Sequence, residues 1–81
     1  MIVRVLAFAR VRELLGTDEL PLELAGDARV SDVWAVLAHG CPALGELTGT
    51  TRIARNGRVV SGDEPVAAGD ELALLPPVGG G

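Results

Sequence analysis

One segment of the sequence has the apolar spacing of a full-length helix. Val30, Val33 and Leu37 recur at intervals of three and four residues, which places them on one helical face. Ser31 can cap the start of this helix, and Asp32 in its first turn interacts favourably with the helix dipole. One main helix must bury this apolar face against another element, and the remainder of the 81 residues is expected to provide a sheet for it.

The other apolar segments are short, rich in β-branched residues or alternating, and they predict strands. They are Ile2 to Phe8, Glu19 to Leu24, Thr51 to Ala54, Arg58 to Val60, and Glu71 to Leu75. A short helix is predicted from Ala9 to Leu15, closed by Gly16, and a second short turn from Pro42 to Leu47. One main helix across a mixed sheet gives an α+β class.

Two local signals place strands within that sheet. Asn56-Gly57 predicts a tight hairpin, because both residues tolerate positive φ. Pro21 has no N–H to contribute to a ladder, so its strand is expected at an edge of the sheet.

Composition excludes several functions. The net charge of −4 argues against nucleic acid as a partner, since binding it requires a basic face. All seven basic residues are arginines, so the sequence contains no lysine. Cys41 is the only cysteine, which rules out an internal disulfide and a cysteine-based metal centre. No apolar run approaches the roughly 18 residues of a membrane span, and the apolar start has the wrong flanks for a signal peptide. We therefore expect a cytoplasmic protein without membrane contact.

The tail carries the chemistry that the rest of the sequence lacks. Residues 1–77 are expected to form the domain, with residues 78–81 as a flexible tail. Pro76 and Pro77 end the last strand and stiffen the exit of the chain. Beyond them the tail spans roughly 13–14 Å when extended, and glycine allows close backbone approach to a partner. Gly79, Gly80 and Gly81 are therefore suited to threading a narrow channel in another protein.

A terminal carboxylate becomes reactive only after activation, because its negative charge makes it a poor electrophile. Adenylation at Gly81 would supply a good leaving group, and a sulfur nucleophile could then produce a thiocarboxylate. This chemistry needs no catalytic side chain of the chain itself, so we expect a protein that is not an enzyme alone. No bound cofactor and no metal site are expected, only the transient acyl-adenylate and the C-terminal thiocarboxylate (1-thioglycine).

Three parts of the sequence resemble a known family. VLAFARVRELLGTDE near the start, ARNGRVVSGDEPVAAGDELALLPPVGGG at the end and the spacing between them resemble the sulfur-carrying proteins of the MoaD/ThiS family, which are ubiquitin-like. The resemblance covers essentially the whole sequence. It implies a β-grasp fold with the main helix across a mixed sheet.

The resemblance also implies a function in molybdenum cofactor biosynthesis, as the small subunit of molybdopterin synthase. An E1-like, ATP-dependent activating enzyme would adenylate Gly81, and a sulfurtransferase or cysteine desulfurase system would supply sulfur. The tail would then enter the large subunit and donate sulfur to cyclic pyranopterin monophosphate. The family's complex is usually a heterotetramer.

The first and last strands are neighbours in a β-grasp sheet, which predicts a docking surface. If Val3, Val5 and Ala7 face the helix, then Arg4, Leu6 and Phe8 face away from it. In the last strand Leu72 and Leu74 would point inward, and Ala73 and Leu75 outward. The predicted docking residues are Leu6, Phe8, Leu75 and Val78, together with Arg12 on the FARVREL segment.

Other residues with possible chemistry have simpler interpretations. Cys41 and Trp34 are expected to pack, His39 to interact with a helix dipole, and the acidic pairs Asp63-Glu64 and Asp70-Glu71 to lie in solvated turns. Three alternative functions remain open. They are a sulfur carrier for thiamine or cysteine biosynthesis, a ubiquitin-like protein modifier, and a noncovalent β-grasp binding module.

Overall fold

A computed structural model describes residues 1–77 of the chain. Its elements follow the order β1 (Ile2–Ala7), α1 (Ala9–Leu15), β2 (Glu19–Glu23), α2 (Val30–Gly40), a 3-10 helix (Pro42–Leu47), β3 (Arg52–Arg55), β4 (Arg58–Val60) and β5 (Glu71–Leu75). The predicted elements are all present, with strand ends that differ by one residue in β1, β2 and β3. Within these 77 residues no helix combines the length and the apolarity needed to cross a bilayer.

The five strands form one mixed sheet in the order β2-β1-β5-β3-β4. β1 and β5 run parallel at its centre, and the other neighbouring pairs are antiparallel. This order, with α2 between the second and third strands of the chain, is the ubiquitin-like β-grasp arrangement. The fold implied by the family resemblance is therefore confirmed, as is the predicted pairing of the first and last strands.

The core lies between the inner face of the sheet and α2. Alternate residues of the central strands are almost fully buried: Val3, Val5 and Ala7 of β1, and Leu72 and Leu74 of β5. They join Val30, Val33 and Leu37 of α2 in one apolar cluster. The predicted inward-facing residues are thus confirmed, and the opposite face of each central strand must point away from the core.

Two turns use backbone conformations that the sequence signals. Asn56 and Gly57 have φ of 49° and 89° between β3 and β4, as a tight hairpin turn requires. Gly16 has φ of 76° and donates its N–H to the carbonyl of Arg12 at 2.9 Å, which ends α1.

Pro21 lies on an edge strand, as predicted, and its position within that strand is specific. The N–H of Leu24 bonds to the carbonyl of Met1 at 2.8 Å, so alternate residues of β2 direct their backbone groups toward β1. Glu19, Pro21 and Glu23 consequently direct theirs to the open edge. The missing N–H of Pro21 falls on that open side, where it hinders pairing with a further strand.

The predicted Ser31 cap of α2 is wrong. The N-cap is Arg29, whose N–H donates to a carboxylate oxygen of Asp32 at 2.8 Å. Ser31 instead donates its backbone N–H to the carbonyl of Gly62 at 2.8 Å, and Val30 donates to Glu64 at 2.9 Å. Carbonyls of the loop before β5 therefore satisfy the first two amides of α2, which begins before Ser31 and leaves that residue inside the helix.

Candidate functional site

The outer face of the sheet, opposite α2, carries an apolar surface. We call it the outer patch and define it as Leu6 and Phe8 of the β1 segment, Ala54 of β3, Val59 of β4, and Ala73 and Leu75 of β5. Strand alternation places each of these side chains away from the core cluster. Ala54 is 6% exposed although it lies outside that cluster, and its neighbours in the ladders are Ala73 and Val59.

The strand register arranges the outer patch in two rows. Leu6 lies beside Ala73, Ala73 beside Ala54, and Ala54 beside Val59, so one apolar row crosses four strands. Val59 ends this row and is 51% exposed. Directly neighbouring side chains on one face of a sheet are in contact range. The row is therefore one continuous surface.

The second row lies nearer the end of β5. Leu75 pairs with Arg52, and Phe8 follows the Ala7–Leu74 pair, so Phe8 and Leu75 occupy neighbouring positions. Phe8 keeps extended backbone angles of −129° and 155° and is 45% exposed. The predicted outward positions of Leu6, Phe8 and Leu75 are confirmed, although Leu6 and Leu75 are half-buried. Their role in docking stays a prediction.

The chain leaves the sheet at the same end of the outer patch. Pro76 is buried and Pro77 exposed, and both line a shallow depression with Leu75, Arg52 and the Gly49-Thr50 turn. Val78, Gly79, Gly80 and Gly81 lie outside the described residues. The tail and its reactive carboxylate therefore stay predictions, whereas the position from which the tail departs is observed.

Charged groups differ between the two ends of the outer face. At the start of β5, Arg4 bonds to Glu71 and lies 3.9 Å from Glu19. The hydrogen bond to Glu71 and the charge of Glu19 raise the pKa of Arg4. At the end of β5, Arg52 is exposed and forms no ion pair with any of the 77 described residues. Arg12, on α1, is likewise exposed and without an ion pair in that range.

The sequence interpretation did not include Val59, Ala54 and Arg52. A signal for all three was present in Asn56-Gly57, because a two-residue turn sets Arg55 against Arg58 and Ala54 against Val59. Burial of Ile53 then places Arg52 and Ala54 on the opposite face from it. The missing information was which strand lies beside β5.

The three remaining candidate side chains have structural surroundings. The thiol of Cys41 is half-buried and donates to the carbonyl of Leu14 at 3.6 Å. Trp34 is half-buried and donates its indole N–H to the hydroxyl of Thr48 at 2.9 Å. His39 lies exposed in the last turn of α2. These positions agree with packing and helix-end roles and do not bring the three side chains to the outer patch.

The interpretation of Asp70 as part of a solvated turn is wrong. Asp70 is 7% exposed and accepts hydrogen bonds from Arg55 at 2.6 Å, Asn56 at 3.0 Å and the N–H of Ala67 at 2.7 Å. Burial by itself raises the pKa of Asp70, but these hydrogen bonds together outweigh it and lower the pKa.

The other acidic residues lie nearer the surface. Asp63 is exposed, and a hydrogen bond from Ser61 lowers its pKa. Glu64 forms ion pairs with Arg55 at 3.2 Å and Arg58 at 3.4 Å. The acidic pairs are thus bound to arginines, a hydroxyl group and backbone amides of their own chain.

Comparison with known proteins identifies similar chains. The ThiS family matches residues 5–81. The molybdopterin synthase sulfur carrier subunit of Escherichia coli is 41% identical over 90 aligned residues, which cover 98% of this chain and 99% of that protein. The small archaeal modifier protein 1 of Haloferax volcanii is 40% identical, with 91% of this chain and 94% of that protein covered.

Solved structures agree with the sequence matches. The crystal structure of the Haloferax volcanii protein has a TM-score of 0.87 at 37% identity, with all of both chains covered. A complex of subunits 1 and 2 of molybdopterin-converting factor from Helicobacter pylori contains a chain with a TM-score of 0.71 at 29% identity, again over the full length of both chains.

Proposed function

Since the chain belongs to the ThiS family of ubiquitin-like proteins, we propose that it is the sulfur carrier subunit of a molybdopterin synthase. The observation that carries this proposal is the outer patch, which lies at the root of the segment that ends in Gly79, Gly80 and Gly81. A partner that receives the terminal glycine must sit beside Pro77, and the apolar surface next to that point offers it a docking site.

The proposed reaction has three steps. An E1-like activating enzyme transfers AMP from ATP to the carboxylate of Gly81 and releases pyrophosphate. A persulfide of a sulfurtransferase or cysteine desulfurase system attacks the acyl carbon and AMP leaves; a thiol of that system then cleaves the S–S bond, which forms a disulfide and leaves a thiocarboxylate. That sulfur passes to cyclic pyranopterin monophosphate while an oxygen atom from water restores the carboxylate. The chain supplies the carried atom and the docking surface, and the partners supply the catalytic groups.

The large subunit of molybdopterin synthase is the proposed acceptor. Similarity to the Escherichia coli sulfur carrier over nearly the whole of both proteins supports this choice. Similarity to a chain of the Helicobacter pylori two-subunit complex supports a partner of that kind. Activating enzyme and large subunit both need access to Gly81, so we infer that they use the outer patch in turn and not together.

Deletion of Gly81 tests the proposal. The deleted residue follows the last strand in the sequence, so the melting temperature should be unchanged while sulfur transfer in a reconstituted synthase assay is lost. Addition of one alanine after Gly81 is a second variant, which keeps every native residue but moves the terminal carboxylate. Intact mass should show replacement of one oxygen by sulfur in the wild type alone. Sulfur transfer by either variant would refute the carrier function.

A protein modifier is the second candidate function, because the Haloferax volcanii relative is named a small archaeal modifier protein. In that case Gly81 would form isopeptide bonds with lysines of target proteins. Denaturing gels of cell extracts distinguish the two, since a modifier gives bands of higher mass and a carrier does not.

A further inference from the structure

Arg52 differs from most other cationic side chains of residues 1–77 in having no counter-ion. Four of the seven arginines form ion pairs with carboxylates: Arg4, Arg10, Arg55 and Arg58. Arg29 donates to the carbonyl oxygen of Asp63 at 2.6 Å. Arg12 and Arg52 form neither kind of contact in this range, and of the two only Arg52 belongs to the sheet.

The position of Arg52 connects it to the outer patch and to the tail. It pairs with Leu75 across the β3–β5 ladder and therefore shares the outer face with that residue. It also lines the depression that contains Pro76 and Pro77. The other arginine of this face is Arg4, which forms an ion pair with Glu71. Arg4 lies beside Glu71 and Arg52 lies beside Leu75, so the two arginines are separated by four residues along β5, roughly 13 Å at ~3.3 Å per residue. Among residues 1–77, the end of the outer face nearest the tail thus carries a positive charge without an ion-pair partner.

We propose that Arg52 is a docking residue that binds a carboxylate of the partner protein, beside the opening that receives the tail. This inference rests on the proposed sulfur carrier function. A guanidinium that loses water during docking needs a new acceptor, because an unpaired charge in an interface is costly. A carboxylate matches the planar donor arrangement of arginine and accepts two hydrogen bonds from it.

The neighbouring apolar side chains favour a protein carboxylate over a free phosphate. Leu75 adjoins Arg52, and Phe8 lies on the other side of Leu75. Both apolar side chains are covered only if an apolar protein surface docks at the same point. The inferred partner surface is therefore apolar opposite Phe8 and acidic opposite Arg52. Since the charge lies on one side of the patch, it also fixes the orientation in which the partner binds.

The test measures binding of Arg52→Glu and Arg52→Ala to the large subunit of molybdopterin synthase from the same organism. We expect Arg52→Glu to raise Kd by about tenfold or more at low ionic strength. This loss of affinity should be smaller at high ionic strength, where salt screens the charges. Arg52→Lys, which keeps the charge, should recover part of the affinity. The melting temperatures should stay close to that of the wild type, because Arg52 forms no ion pair within residues 1–77.

Arg58→Glu is the control for charge, with the same change on the adjacent strand, although it also removes the ion pair of Arg58 with Glu64. Arg58 pairs with Arg55 in the ladder and therefore lies on the opposite side of the sheet from Val59. The Kd of Arg58→Glu for the large subunit should remain within about twofold of the wild-type value. Equal losses in both variants would show a general charge effect and overturn the role of Arg52.

Three further outcomes separate this inference from the proposed function. Unchanged affinity and salt dependence in Arg52→Glu, with Gly81-dependent sulfur transfer intact, would overturn the docking role alone. A defect limited to ATP-dependent activation would assign Arg52 to a nucleotide phosphate and overturn the carboxylate. Absence of binding by the wild type would remove both proposals.

Discussion

Phe8 has an aromatic side chain that the fold leaves 45% exposed, although only one other aromatic residue is present in the sequence. Its extended backbone continues β1 by one residue, and Ala9 then adopts a positive φ of 49° that turns the chain into α1. The aromatic ring is thereby held at the end of the outer patch next to Leu75. Large exposed aromatic side chains are the residues that dominate interface energies.

Replacement of Phe8 by alanine tests this role. We expect Phe8→Ala to weaken binding to both the large subunit and the activating enzyme by about 1–4 kcal/mol, because each partner must cover the same patch. Stability should change little, since the ring is largely outside the core. Calorimetric titration against each partner measures the effect.

Val36→Ala is the control for Phe8→Ala. Val36 is 44% exposed on α2, on the other side of the molecule, so its truncation should leave both affinities unchanged. A collapse of the melting temperature of Phe8→Ala, with affinity retained, would show instead that Phe8 contributes to folding and not to docking.

At the scale of elements, Asp70 joins three parts of the chain. Its carboxylate bonds to Arg55 at the end of β3 at 2.6 Å, to Asn56 in the hairpin turn at 3.0 Å and to the Ala67 N–H in the loop before β5 at 2.7 Å. Asn56 in turn accepts the N–H of Glu71 at 2.9 Å. The hairpin and the loop are therefore fixed to the start of β5, the strand that leads to the tail.

This network predicts a dependence of stability on pH. Hydrogen bonding holds the pKa of Asp70 below its ordinary value of 3.8 despite burial, so the unfolded chain takes up a proton more readily than the folded chain. The stabilisation is complete at neutral pH and is lost as the pH falls below about 4, through the folded-state pKa. Thermal unfolding between pH 7 and pH 2 should show this loss.

Asp70→Asn should remove much of the acid sensitivity along with the stabilisation. We expect the free energy of unfolding of this variant to be about 1–3 kcal/mol lower at pH 7, because Arg55 loses its nearest anion. On acidification its free energy of unfolding should fall less than that of the wild type. Asp27→Asn, at an exposed position, should behave like the wild type. A wild-type stability that did not fall in acid would contradict this account.

Local patterns were sufficient for the elements and for the face of each central strand. Alternation in Ile2–Ala7 and Glu71–Leu75 placed the core residues correctly, and Asn56-Gly57 located the hairpin. Contacts distant in sequence were not accessible in this way. The capping of α2 by carbonyls at Gly62 and Glu64, the burial of Asp70 and the placement of Arg52 beside Leu75 all depend on which segments meet in the folded chain.

For the whole molecule, the absence of lysine bears on the two candidate functions. A ubiquitin-like modifier forms lysine-linked chains by joining its terminus to a lysine of another copy, and none of these 81 residues is lysine. Incubation with ATP and the activating enzyme should therefore give no lysine-linked multimers on a denaturing gel. Introducing one lysine at exposed Arg58 provides the comparison. A ladder of multimers from the wild type, mapped to isopeptide bonds, would contradict the prediction.

The parallel pairing of β1 and β5 has a consequence for synthesis on the ribosome. Arg4 and Glu71 are 67 positions apart but lie side by side at the centre of the sheet. Because a nascent chain emerges with its N-terminus first, β1 cannot pair with β5 until residues 71–75 have been translated. The β3–β4 hairpin can form earlier, but the two halves of the sheet join last. A prematurely terminated copy therefore lacks the assembled surface as well as the tail, and under the proposed function its partners would bind only copies that were translated through β5.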